Sequence, residues 1–101
     1  VMENQHRKIS GYRELSQQEI DLMNRIKAKG AELLELHYEL NQMLREQANE
    51  KSGDAAANTS DYAEFDRFMD AEPLRWAAIG KTDIQTGIMA LVRAVAQPAG
   101  V

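Results

Sequence analysis

Tyr12 and Lys27 are the residues of this sequence best suited to recognition chemistry. A small nucleotide presents flat bases and anionic phosphates. A tyrosine ring can stack on a base, and a lysine ammonium can pair with a phosphate. Gly11, with no side chain, would let a ligand approach the backbone beside Tyr12. Tyr12 and Lys27 are fifteen residues apart and separated by an expected turn, so within one chain they need not meet. Across an oligomer interface they could.

Catalytic chemistry finds little support. His6 and His37 are the only histidines, and no nucleophile, base and orienting group can be assembled around either. His37 falls on an apolar helical seam, where a packed, hydrogen-bonded imidazole is expected rather than a ligand. The "IGKTD" stretch holds Gly80, Lys81 and Thr82. The earlier glycine of a phosphate loop would fall at Arg75, and no strand precedes it. Glu32, Glu35 and Glu39 read as solvated charge on the polar side of a helix. A binding protein is therefore expected, with no cofactor and no metal.

Composition narrows the partner. The net charge of −4 and the pI near 5.1 disfavour long nucleic acid, whose phosphates require a broad basic face. Charge is unevenly spread. Residues 1–13 carry Arg7, Lys8 and Arg13 against Glu3, and residues 22–31 carry Arg25, Lys27 and Lys29 with no acid. Two short basic stretches on an acidic chain suit a small anion better than a polymer. No cysteine is present, no apolar run is long enough to cross a bilayer, and no basic-then-apolar leader is visible.

These groups need elements to hold them. Ser16 followed by Glu19 is a capping box, with Leu15 and Ile20 at hydrophobic-staple positions. From there Met23, Ile26, Gly30, Leu33, His37, Leu40 and Leu44 recur every three or four residues, the seam of a helix packed lengthwise on another. A second row, Leu22, Ile26, Leu33, Leu36, Leu40 and Met43, calls for neighbours on more than one side. The small and polar run "NEKSGDAAANTS" predicts a flexible linker at about 49–60. Thr59 or Ser60 is expected to cap a helix with Tyr62, Phe65, Phe68 and Met69 on one face.

Pro73 predicts a break near residues 70–73, with a further helix capped near Asp70 running until Pro98. In that helix Gly80, Gly87 and Ala94 stand seven apart. Each glycine costs about 1 kcal/mol relative to alanine in a helix, which predicts close approach of a backbone or ligand. The fold class is all-α: a short N-terminal helix and two long antiparallel helices, the second broken near Pro73, in one domain spanning residues 1–101.

The run "ENQHRKISGYRELSQQEIDLMNRIKAKGAELLEL", together with "DAEPLRWAAIGKTDIQTGIMALVRAVAQP", closely resembles the phage anti-CBASS protein two family, sponges for the cyclic oligonucleotide messengers of bacterial anti-phage immunity. The likeness covers residues 3–36 and 70–98. It implies a helical homohexamer in the host bacterial cytoplasm that binds cyclic dinucleotides such as cyclic GMP-AMP without cleaving them. The family's base-stacking tyrosine and phosphate-side lysine carry over to Tyr12 and Lys27, with Lys8 and Gly11 completing the dinucleotide set. A separate pocket for cyclic trinucleotides is implied at Arg75, with Lys81 and Thr82 nearby. Arg75 beside Trp76 equally suits a structural cation–π contact. The competing reading is a structural or regulatory helical oligomer that binds another protein through its apolar seams.

Overall fold

The computed structural model describes residues 13–99, and every element in it is helical. Helix α1 spans Gln17–Ala57, a 3-10 turn covers Thr59–Asp61, α2 spans Tyr62–Ala71 and α3 spans Pro73–Ala96. The expected short N-terminal helix lies outside the described residues.

The start of α1 follows from its first four residues. The Ser16 hydroxyl accepts the Glu19 N–H at 3.2 Å and the Glu19 carboxylate accepts the Ser16 N–H at 2.9 Å. Two amide donors that helix geometry leaves without backbone partners are thus satisfied reciprocally.

The chain forms two compact units. One comprises the stretch up to Glu32 and that from Ile84 onward; the other is Leu33–Asp83. In the first, α1 and α3 run antiparallel, because Arg13 reaches the Val95 carbonyl while Gly30 lies against Ile88. Met23, Ile26, Ile84, Ile88, Val92 and Val95 are among its half-buried apolar positions, and Gly30 is buried.

The second unit is centred on Leu44, Ala55, Phe68 and Ala77, all buried. The His37 Nε2–H donates to the Ala77 carbonyl at 2.9 Å, the structural role expected of it. Lys51, half-buried, pairs with Glu64 at 3.1 Å and holds its ammonium 5.9 Å from the Phe68 ring centroid. Two elements meet there through one side chain.

Several expectations are corrected. Residues 49–57 are not a loop: α1 continues to Ala57, and the connection shrinks to Asn58 and the 3-10 turn. Burial of Ala55 and the tertiary contacts of Lys51 outweigh the roughly 1 kcal/mol cost of Gly53 within the helix. Neither Thr59 nor Ser60 caps α2. Its cap position is Asp61, and the Asn58 side chain accepts the Ser60 N–H at 3.1 Å to shape the turn.

Pro73 does open a helix, at the position where a missing N–H costs nothing. The residue before it is Glu72 in a left-handed conformation (φ 51°), not a cap at Asp70. Glu72 closes α2 through its N–H to Met69 O at 3.1 Å, and its own carbonyl accepts the Trp76 N–H at 3.0 Å. One residue ends one helix and starts the next.

The seam of α1 also differs by one position in each of two turns. Leu34 and Asn41 are half-buried, whereas Leu33 and Leu40 are exposed. Leu22, Leu33, Leu36, Leu40 and Met43 keep 42–60% of their surface exposed in the single chain. Among the described residues, that row has no second neighbour to cover these positions. Of the aromatic face of α2, Phe68 is buried and Phe65 half-buried, while Tyr62 and Met69 face solvent.

Candidate functional site

Tyr12, Gly11 and Lys8 lie outside the described residues. Lys27 is exposed on α1 and makes no ion pair or hydrogen bond with the described residues, as is true of Arg25. Lys29 pairs with Glu32 at 3.4 Å. Of the three cations gathered in this stretch, two have no partner among the described residues. A solvated ammonium with no competing carboxylate keeps its donors for a phosphate.

Arg13, the residue following Tyr12, is tied down. Its guanidinium pairs with the Glu19 carboxylate and donates to the Val95 carbonyl at 2.8 Å, and its side chain is half-buried. Three separate points are joined: the entry to α1, the capping carboxylate and the last turn of α3. The negative end of the α3 dipole favours a cation there. Sequence reasoning read Glu19 only as a cap and Arg13 only as one charge among several. The signal was a carboxylate in a capping box six residues after an arginine, and it does not reveal that the end of α3 comes to the same place.

Arg75 stacks beside Trp76, 5.5 Å from the ring centroid, and pairs with Glu72 at 3.3 Å. It lines an open groove of about 310 Å³ with Ala78, Ile79, Thr82 and Asp83. Arg75 and Thr82 therefore share one surface, about two helical turns apart. The Thr82 hydroxyl is engaged with the Ala78 carbonyl at 3.2 Å. Lys81 is exposed but does not line the groove. Asp83 adds a negative charge that a phosphate there would have to avoid.

The expectation of close approach at the glycines of α3 is not met among the described residues. A Cβ added at Gly80 or Gly87 would meet nothing within 4 Å, whereas one at Gly30 would press on Ile88. Among the described glycines the one under packing constraint is Gly30, on α1.

Two carboxylates are strongly perturbed. The hydrogen bond from Arg13, followed by that from the Ser16 N–H, lowers Glu19 from 4.5 to about 2. Arg67, and then Lys51, lower Glu64 from 4.5 to about 2. Both are ionised in the folded chain at pH values where they protonate in the unfolded chain. Their stabilisation is thus complete above pH 4.5 and lost as pH falls toward 2. Thermal midpoints read stepwise from pH 6 to pH 2 should fall below pH 4.5, and Glu64→Gln should flatten that fall. Both groups touch solvent, so added salt should shrink the effect.

The profile of the Acb2/Tad1 hairpin domain matches residues 6–96. A relative, Anti-CBASS protein 2 of Pseudomonas phage JBD67, is 57% identical over 107 residues, covering 98% of this chain and 99% of that protein. The match runs through the capped start of α1, the break at Pro73 and the full length of α3, so at this identity the chain belongs to the Acb2/Tad1 hairpin-domain family.

Proposed function

We propose that this chain is a phage anti-CBASS protein that sequesters cyclic oligonucleotide messengers without cleaving them. The observation that carries the reading is the 57% identity to Anti-CBASS protein 2 across nearly the whole of both chains. Free Lys27 supplies a phosphate contact and Tyr12 a base-stacking ring for cyclic dinucleotides such as cyclic GMP-AMP, with Lys8 and Gly11 beside them. Arg75 and Thr82, on one groove, with Lys81 nearby, are proposed for cyclic trinucleotides. A messenger held and not destroyed is withheld from the host effector by mass action. The working place is the host bacterial cytoplasm; no described helix is long and apolar enough to cross a membrane.

The pocket is proposed to form between copies of the chain, assembled as a homohexamer. Its support is the exposed row Leu33, Leu36, Leu40 and Met43, an apolar stripe that would be costly to leave in water. The same row supports the competing reading, a helical oligomer that binds another protein, and ligand binding separates the two.

Isothermal titration with cyclic GMP-AMP, followed by chromatography of the nucleotide released on heating, tests the reading. Binding with intact messenger recovered is expected. Tyr12→Ala and Lys27→Ala should each weaken it by about 1–3 kcal/mol, the usual worth of a base stack or a charge-assisted hydrogen bond, without changing the mass in solution. Absence of binding would favour the protein-binding oligomer, and altered nucleotide would reveal an active site.

A further inference from the structure

We propose that Glu72 and Trp76 are positioning residues for Arg75: together they restrain its guanidinium at the groove on α3 and so pre-organise it for a phosphate of a cyclic trinucleotide. The inference rests on the proposed role of Arg75 as a trinucleotide contact.

The observation that points there is a backbone conformation. Glu72 lies at φ 51° and ψ 49°, in the left-handed region, where a Cβ crowds the backbone and glycine does not. Glycine would close α2 here without that strain. What glycine lacks is the carboxylate. Among the described residues that carboxylate makes one contact, accepting from the Arg75 Nη1–H at 3.3 Å.

The carboxylate starts from a fixed point. The Glu72 N–H donates to the Met69 carbonyl at 3.1 Å and the Glu72 carbonyl accepts the Trp76 N–H at 3.0 Å, so α2 and α3 both hold this residue. The Trp76 ring centroid lies 5.5 Å from the Arg75 guanidinium carbon, within the range at which an aromatic ring attracts a cation. A carboxylate and a ring thus restrain one long side chain before any ligand arrives, which reduces the entropy cost of binding.

The restraint leaves the binding edge open. Only Nη1 is engaged, while the donors on Nε and Nη2 have no acceptor among the described residues. Those two nitrogens form the edge that a phosphate grips bidentately, so a ligand need not displace Glu72. Asp83, which lines the groove two turns further along α3, leaves the Arg75 end as the place for an anion. Arg75 and Glu72 each keep more than half of their side-chain surface in solvent, and a pair so exposed adds little to folding stability. Its effect is expected in binding.

Titration of the full chain with cyclic tri-AMP tests the inference, with cyclic GMP-AMP, for which Lys27 and not Arg75 is proposed, as the second ligand. Glu72→Gly should bind cyclic tri-AMP about three- to tenfold more weakly, the cost of ordering one rotamer-rich side chain. Its thermal midpoint should hold or rise, because glycine relieves the left-handed backbone. Affinity and stability therefore move apart. Glu72→Gln, which keeps an acceptor without the charge, should lose less. Trp76→Leu should weaken binding about threefold, and Trp76→Phe, which retains a ring, by less. Affinity for cyclic GMP-AMP should be unchanged in all four. Should Glu72→Gly misfold, Glu72→Gln and the two Trp76 variants carry the comparison.

Cyclic tri-AMP affinity unchanged or increased in the Glu72 variants would overturn the proposal, since the carboxylate would then be idle or a competitor of the phosphate. A loss shared equally by both ligands, or one that tracks a falling midpoint, would reduce Glu72 and Trp76 to structural elements. If the unaltered chain fails to bind cyclic tri-AMP, the reading of Arg75 fails first and this inference with it.

Discussion

Phe68→Ala should lower the free energy of unfolding by about 3–5 kcal/mol, the range for truncating a buried phenylalanine. Phe68 is 5% exposed and is the largest buried side chain among the described residues. Its ring also faces the Lys51 ammonium, whose other contact is Glu64. Removing the ring leaves a cavity under a half-buried cation, so the transfer and cavity terms add to the loss of a cation–π contact. A domain of this size has about 5–15 kcal/mol to lose. Urea unfolding at fixed protein concentration reads the effect as a fall in midpoint with little change in slope, and Phe68→Leu, which keeps most of the volume, should lose far less. A midpoint shift for Phe68→Ala no larger than that of Phe68→Leu would show that the second unit is not organised around this ring.

The second large effect belongs to Gly30. A Cβ there would overlap the Ile88 Cδ1 and stand 2.8 Å from its Cγ1. An isoleucine on a helix has one strongly preferred χ1 rotamer, so the side chain has little freedom to retreat. Gly30→Leu should therefore destabilise the chain by about 3 kcal/mol or more, at the upper end of overpacking costs. Gly30→Ala is subtler, because a helix-propensity gain of roughly 1 kcal/mol partly offsets the clash. Ile88→Ala should recover part of the loss in Gly30→Leu, a coupling that a double-mutant cycle measures. Gly53→Ala serves as the control: nothing lies within 4 Å of its added Cβ, and it should gain stability by up to about 1 kcal/mol. Equal responses at the two glycines would contradict the packing contrast between them.

The two effects fall on positions that the sequence did not mark as special. Gly30 was visible only as one member of an apolar seam, while an added Cβ at Gly80 or Gly87, conspicuous by their spacing, would meet nothing within 4 Å among the described residues. Phe68 was grouped with Tyr62, Phe65 and Met69, of which only Phe65 shares its protection even in part. Periodicity identifies a helical face about 100° wide but not which edge of that face a neighbour will cover. Leu33 and Leu34 are both consistent with it, and only the placement of α3 decides between adjacent positions.

Of the candidate site, Lys27 was legible as an unpaired cation because no acid lies within one turn of it in the N-terminal direction and its C-terminal neighbour Ala31 cannot compete. The Arg75 pairing with Trp76 was legible from adjacency alone. The Arg13 contact with Val95 was not, since 82 residues separate the two and no local pattern encodes which carbonyl an arginine will reach.

The sequence by itself determined the helical class, the capped start at Ser16, the break at Pro73 and the stop before Pro98, because capping hydrogen bonds and the missing proline N–H act within a few residues of where they are written. Tertiary structure alone decided that α1 runs on through Gly53 to Ala57, that Gly30 lies against Ile88 and that Arg13 clamps the last turn of α3. Those outcomes depend on burial and on partners distant in sequence, whose energies exceed the local preferences that a sequence displays.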